Sequence, residues 1–326
     1  MNIAIRLPNW IGDAVMATAT LSTLRESFPA AEIIGVMKPN LVALFEAHPA
    51  LDRIVPLEGV FQTAVRLRRL NVDWGLILPN AFSAAWLFFL AGIPRRVGYA
   101  TEGRRLLLTD PLRYPADFRD HHNVENYLKI AAVAGAKIHV KRLFMPVDEE
   151  RGRRLIPRHH PERPLVALNP GATFGPAKRW LPDRFAAVGD HLVEHFGAEV
   201  VILGGPGDVG TEQQIIDQMR QPAIRLSGKI SLADLPSVIA QCTVFISNDT
   251  GPMHLAAAVR VPTLALFAST NPNWTAPYGD HHRVIYPKLV CSPCYQRECP
   301  LKSEPYACLR AISVEDVLQH VKTMLP

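Results

Sequence analysis

The chain has 326 residues, of which 48% are apolar and 20% charged, which excludes a disordered protein and suits two domains better than one core. The formal net charge of +5 is mildly basic, but no zinc finger, RNP motif or helix-turn-helix accompanies it, so nucleic acid is not the expected partner. The first residues read as a strand without the features of a signal peptide, and the longest apolar run, 81–93, is too short to span a bilayer; a cytoplasmic protein is expected.

In chain order, strand patterns at 3–7, 32–36, 53–55 and 74–78 alternate with helical patterns at 14–27, 41–47, 60–70 and 81–91, the last reading as a buried helix. Shorter strand-like pieces lie at 96–98 and 105–108, and a helix at 123–134 closes this half. Residues 141–164 combine a Glu/Asp/Arg cluster with Pro157, Pro161 and Pro164, which is linker composition and sets domains at 1–150 and 151–326. Strands at 165–169, 199–203, 223–226, 243–247 and 263–267 then alternate with helices at 183–196, 210–219, 232–240 and 253–259. A terminal helix at 314–324 has the option of packing back on the first domain. Such alternation with near-continuous apolar strands predicts an α/β protein of two doubly wound Rossmann-like domains facing an interdomain cleft, with ligands beyond the carboxyl ends of the strands.

Three strand ends carry polar loops that run into helices. After the first strand comes Asn9-Trp10-Ile11-Gly12-Asp13; Asp13 reads either as a helix N-cap or as a base projecting from the strand end. After strand 165–169 comes a loop with Gly171, Thr173, Lys178 and Arg179, which supplies N–H groups, a hydroxyl and two cations suited to a diphosphate. After strand 243–247 comes Asn248-Asp249-Thr250-Gly251-Pro252-Met253-His254, with Asp249 or Thr250 as N-cap. The free N–H groups of that helix start form a natural anion site. The loop after the first strand lacks the GxGxxG spacing of a dinucleotide-binding oxidoreductase.

Four of the five cysteines cluster as Cys291, Cys294, Cys299 and Cys308, a pattern open to a structural zinc site or to reduced thiols in a compact loop; Cys242 reads as a buried small hydrophobe. Arg66, Arg68, Arg69, Arg95, Arg96, Arg104, Arg105, Arg113 and Arg119 all fall in the first half. Their default reading is an ordinary solvated surface; the sharper one is a face for an anionic partner, with anionic lipid or glycolipid ahead of nucleic acid.

Together the segments 9–13, 170–180 and 248–254 resemble glycosyltransferase family 9, in both halves and in the right order, with forms that favour its second-heptose branch. The resemblance implies a GT-B fold and an inverting, metal-independent transferase without cofactor. The donor would be ADP-L-glycero-β-D-manno-heptose and the acceptor heptosyl-Kdo2-lipid A at the inner face of the inner membrane. It implies Asp13 as base and Lys178 at the leaving diphosphate. Gly171, Thr173, Asp249, Thr250, Gly251 and His254 would lie on the donor side, and Asn9, Trp10 and Gly12 on the acceptor side. A family member with another heptose acceptor, or a non-catalytic nucleotide-sugar binding module, remains an alternative.

Overall fold

Alternating apolar runs and amphipathic stretches produce two parallel six-stranded sheets, each clothed by its own helices. The computed structural model describes residues 1–139 and 141–325, which divide into units Met1–Pro146 and Val147–Pro326. The first unit runs β1 (Asn2–Arg6), α1 (Ile11–Met16), α2 (Thr18–Ser27), β2 (Glu32–Met37), α3 (Pro39–Phe45), β3 (Arg53–Pro56), α4 (Val60–Arg69), β4 (Trp74–Ile77), α5 (Phe82–Leu90), β5 (Arg95–Tyr99), β6 (Asp110–Leu112) and α6 (Asn123–Val133). Its sheet order is β3-β2-β1-β4-β5-β6, so Arg6 at the end of β1 is flanked by Val36 and Ile77.

The second unit runs α7 (Glu149–Leu155), β7 (Leu165–Asn169), α8 (Pro182–Phe196), β8 (Glu199–Ile202), α9 (Val209–Ile216), β9 (Ile224–Arg225), α10 (Leu235–Ile239), β10 (Val244–Asn248), α11 (Gly251–Ala258), β11 (Thr263–Leu266), α12 (Pro272–Thr275), β12 (Arg283–Ile285), α13 (Ala307–Arg310) and α14 (Val314–Lys322). Its order, β12-β11-β10-β7-β8-β9, repeats that of the first. In each sheet the direction of winding reverses at one place, between β1 and β4 and between β7 and β10, which is where doubly wound folds bind ligands.

Four local differences from the sequence expectations have physical causes. The helix expected at 14–27 begins at Ile11, because Trp10 holds the extended N-cap conformation, and it is divided at Ala17. The piece at 105–108 is a 3-10 turn, Arg104–Leu107, rather than a strand: the buried Arg104 guanidinium donates to the carbonyls of Tyr99, Pro79 and Ala81 and draws the chain into a turn. The stretch expected as linker contains α7, capped by the Asp148 carboxylate, which accepts from the Arg151 N–H at 2.8 Å. This helix sits so close to α10 that a Cβ on Gly152 would lie 2.1 Å from the Ser237 carbonyl oxygen. The terminal helix α14 falls within the second unit, as its place in 151–326 leads one to expect, and Val317 and Val321 enter the core with Val188, Leu192 and Leu266. Finally, α5 is not wholly buried: Ala84, Ala85, Leu87 and Phe88 face the core while Phe82 and Phe89 are exposed.

Candidate active site

In the first unit the polar loop after β1 brings Asp13 to the winding reversal. Trp10 takes the N-cap position, so Asp13 lies within the first turn of α1, where the helix dipole favours its negative charge. The carboxylate accepts from the side-chain amide of Asn123 at 3.0 Å, and the Tyr127 hydroxyl stands 3.5 Å from the same oxygen. Asn123 also donates to the Tyr127 oxygen at 2.9 Å. Burial, followed by the Asp13 charge, pushes the Tyr127 hydroxyl well above the usual phenol range, so it stays a proton donor. Asp13 itself is half-buried: one oxygen is held by α6 while the group keeps access to solvent.

The neighbours of Asp13 are prepared as carefully. Asn9 and Trp10 are exposed and Gly12 half-buried. The Asn9 side-chain oxygen accepts from Arg6 at 2.5 Å, and the buried Arg6 guanidinium also donates to the carbonyls of Leu7 and Val36. Burial lowers that guanidinium to about 10. Arg6 thus fixes the path of the loop from beneath.

In the second unit Lys178 and Asp249 form an ion pair that is largely buried, with side-chain exposures of 13% and 6%. The Thr270 hydroxyl donates to the same Asp249 oxygen at 2.5 Å. Asp249 therefore serves as an anchor for the Lys178 ammonium, which lies 5.0 Å from the centre of the Phe174 ring. Thr250 occupies the N-cap position of α11 without a side-chain cap hydrogen bond; Pro252 has no N–H and the Met253 N–H donates to the Thr250 carbonyl at 3.2 Å, so the Gly251 N–H is the donor left to the first turn. Thr250 and Gly251 are half-buried, Thr173 is exposed, and His254 is buried in the first turns of α11. Gly171 is buried against the Asp208 carboxylate, 2.3 Å from where a Cβ would stand.

The loop carrying Lys178 is fixed from several sides. The Asn248 side chain accepts from the Trp180 N–H at 3.1 Å and donates to the Pro170 carbonyl at 2.7 Å. The Trp180 indole is buried and donates to the Ile312 carbonyl at 3.1 Å. Arg297 donates to the Phe174 carbonyl at 2.8 Å, and its own carbonyl accepts from the Ala177 N–H at 3.1 Å. Gly175 has φ +151, and a Cβ there would come within 2.5 Å of the Arg297 carbonyl, so only glycine fits.

Five positions in these networks, Arg6, Asn123, Tyr127, Thr270 and Arg297, escape sequence reasoning. Asn123 opens a predicted helix and Thr270 follows a predicted strand, and that was the only signal either offered. Cys291, Cys294, Cys299 and Cys308 do come together, as free thiols around a cavity of about 210 Å³ that also touches Ala177 and Ser269. Among the described residues, however, no group of three or more His, Cys, Asp or Glu is arranged to hold a metal ion. Burial, and then the neighbouring Cys291 and Cys294, raise the Cys308 thiol above its ordinary range. Cys242 is buried as expected, its thiol pushed up to about 12 by burial.

Two doubly wound parallel sheets of this order are the GT-B architecture of many glycosyltransferases, and a solved structure supports that assignment. The ADP-heptose lps heptosyltransferase II of E. coli superposes with a TM-score of 0.85 at 27% identity, covering 99% of this chain and 98% of that one. A family model described as glycosyltransferase family 9 (heptosyltransferase) matches residues 60–304. The lipooligosaccharide heptosyltransferase 2 of Haemophilus influenzae is 32% identical over 87% of this chain and 88% of its own. The lipooligosaccharide heptosyltransferase 2 of Campylobacter jejuni is 30% identical over 100% of this chain and 98% of its own. The chain belongs to glycosyltransferase family 9, the heptosyltransferases.

Proposed function

We propose that this enzyme transfers L-glycero-D-manno-heptose from ADP-heptose to the heptose of heptosyl-Kdo2-lipid A, adding the second inner-core heptose of lipopolysaccharide. The first unit takes the acceptor and the second the donor. The observation that carries the reading is a held, solvent-accessible carboxylate, Asp13 with Asn123, at one winding reversal, in a chain that anchors a buried cation, Lys178, at the other. Similarity to heptosyltransferases 2 along the chain supports the choice of sugar and acceptor.

In the reaction, an acceptor heptose hydroxyl attacks the anomeric carbon from the face opposite ADP. Its proton passes to the Asp13 carboxylate, the new glycosidic bond forms, and the bond to the β-phosphate oxygen breaks with its electron pair on ADP. Inversion follows through an oxocarbenium-like transition state, the electronic problem also met by inverting glycosidases. Charge building on the departing diphosphate is met by the Lys178 ammonium and by the Gly251 N–H at the positive end of α11. Thr173, Thr250 and the Gly171 and Gly251 backbones contact phosphates or sugar, and Asp249 and His254 position the donor side. Asn9, Trp10 and Gly12 line the approach of the acceptor, with the exposed Trp10 indole offering an apolar wall for a sugar ring. No metal or cofactor takes part in this scheme, and the enzyme works in the cytoplasm, peripherally at the inner face of the inner membrane.

Asp13→Asn in the purified enzyme tests the proposal. ADP-heptose binding is expected to stay near wild type while transfer falls by 10²-fold or more, on the order of what a positioned base supplies. Retention of most transfer activity overturns the assignment of the base.

A further inference from the structure

The first unit carries an exposed apolar ridge that the reaction above does not use. On α4, Phe61 and Val65 stand one turn apart with 71% and 50% of their surface in solvent. On α5, Phe82, Trp86 and Phe89 stack in succession along one edge, ring centres 6.3 and 5.5 Å apart. On the 3-10 turn, Leu106 is 90% exposed. These three elements are neighbours: α4 and α5 pack together, as do α5 and the turn.

Arginines tie the ridge together and frame it. Arg68 reaches from α4 to the Leu90 carbonyl at the end of α5. Arg96 lies over the Phe89 ring at 5.5 Å and donates to the Leu107 carbonyl at 2.6 Å, joining α5 to the turn. Arg66 pairs with Glu58, but Arg69 and Arg105 are exposed and, among the described residues, enter no ion pair. Single exposed apolar residues are ordinary on any protein; five on three adjoining elements, stacked and interleaved with uncompensated cations, are a surface built for a partner.

We infer that this α4–α5–turn face is the surface by which the enzyme docks on an anionic phospholipid bilayer. The charge decides the occupant: aromatic and aliphatic side chains that enter the headgroup boundary, flanked by guanidinium groups for lipid phosphates, match an interfacial anchor. Among the described residues no helix is long and apolar enough to cross a membrane, and α5, with nine residues, lies on the surface. The inference rests on the proposed lipid-linked acceptor only for the reason the enzyme visits a membrane; the docking is a property of the face alone.

Sedimentation of the full chain with vesicles tests it. Phosphatidylethanolamine vesicles containing phosphatidylglycerol should bind the protein, phosphatidylcholine vesicles much less, and added salt should weaken binding. The combined F61S, F89S and L106S variant should lose about tenfold or more in vesicle affinity. R69E with R105E should lose at least about fivefold for each arginine removed. Both variants should keep wild-type transfer to a water-soluble, delipidated acceptor oligosaccharide. Unchanged vesicle binding by either variant overturns the inference, as does a wild-type dimer in analytical ultracentrifugation that F61S, F89S and L106S dissociate. Transfer to the soluble acceptor without wild-type vesicle binding sinks the docking face and leaves the reaction standing. Vesicle binding without any transfer does the reverse.

Discussion

Lys178 and Asp249 offer the sharpest quantitative test of the donor half. Replacing Lys178 by Met keeps the length of the side chain and its contact with Phe174 but strands the Asp249 carboxylate, which is only 6% exposed. Removing one partner of a buried pair costs about 3–5 kcal/mol, and the Thr270 hydroxyl still donating to Asp249 places K178M at the lower end, about 3 kcal/mol. D249N leaves an amide that still accepts from Thr270 and a lysine with some route to water, so its cost is expected at about 2 kcal/mol. The two changes share one interaction, so the double variant should be less destabilised than the sum by at least about 1 kcal/mol. Urea-dependent hydrogen exchange of peptides covering β10 and α11 reads the local stability. Steady-state transfer kinetics read the catalytic loss, expected at about 100-fold in kcat/KM for K178M. Additive stabilities within about 0.5 kcal/mol, or K178M kinetics like wild type, would refute the view that Asp249 anchors a lysine used by the donor.

Asn123→Ala should lower kcat by roughly tenfold with little change in the KM for ADP-heptose, because it removes the shorter of the two α6 hydrogen bonds to the Asp13 carboxylate without touching the donor; an equal effect from Tyr127→Phe would overturn the assignment of the holding role to Asn123. Gly171→Ala should destabilise the second unit by about 1–3 kcal/mol, since its Cβ would fall 2.3 Å from the Asp208 carboxylate; a neutral thermal shift would show that Asp208 moves aside freely. Acid should weaken the first unit through His48, which burial holds neutral, lowering its pKa to about 4 beside Phe45 and Phe144. The folded pKa lies below the ordinary 6.5, so the stability that neutral His48 contributes is full above pH 6.5 and is lost as pH falls toward 4, by at most about 3 kcal/mol. His48→Gln should flatten that part of the stability–pH curve, and an unchanged slope between pH 6.5 and 4 would remove His48 as its source.

The placement of these charged groups has a simple origin. Each sheet reverses its winding once, and the strand ends on either side diverge there, leaving room for a loop that is not covered by a crossover helix. The loops after β1, β7 and β10 all emerge at such points, and all three carry the charged residues assigned to the reaction. The buried polar groups around them, from Arg6 to Asn248, are tied to backbone carbonyls and hold the loops in place.

The sequence alone determined the two-sheet architecture and the identity of the charged groups. Period-2 and period-3.6 patterns are local, so strands such as 165–169 and helices such as 183–196 could be read directly, and Asp13, Lys178 and Asp249 followed from their places at strand ends. Tertiary structure decided what each of those groups does with its neighbours. Asn123 meets Asp13 across 110 residues and Thr270 meets Asp249 across 21, separations over which no periodicity carries information. The same holds for α5, whose sequence is apolar on almost every side: composition could not say which edge would stay in solvent, because that depends on where the sheet, α4 and the Arg104 turn lie against it.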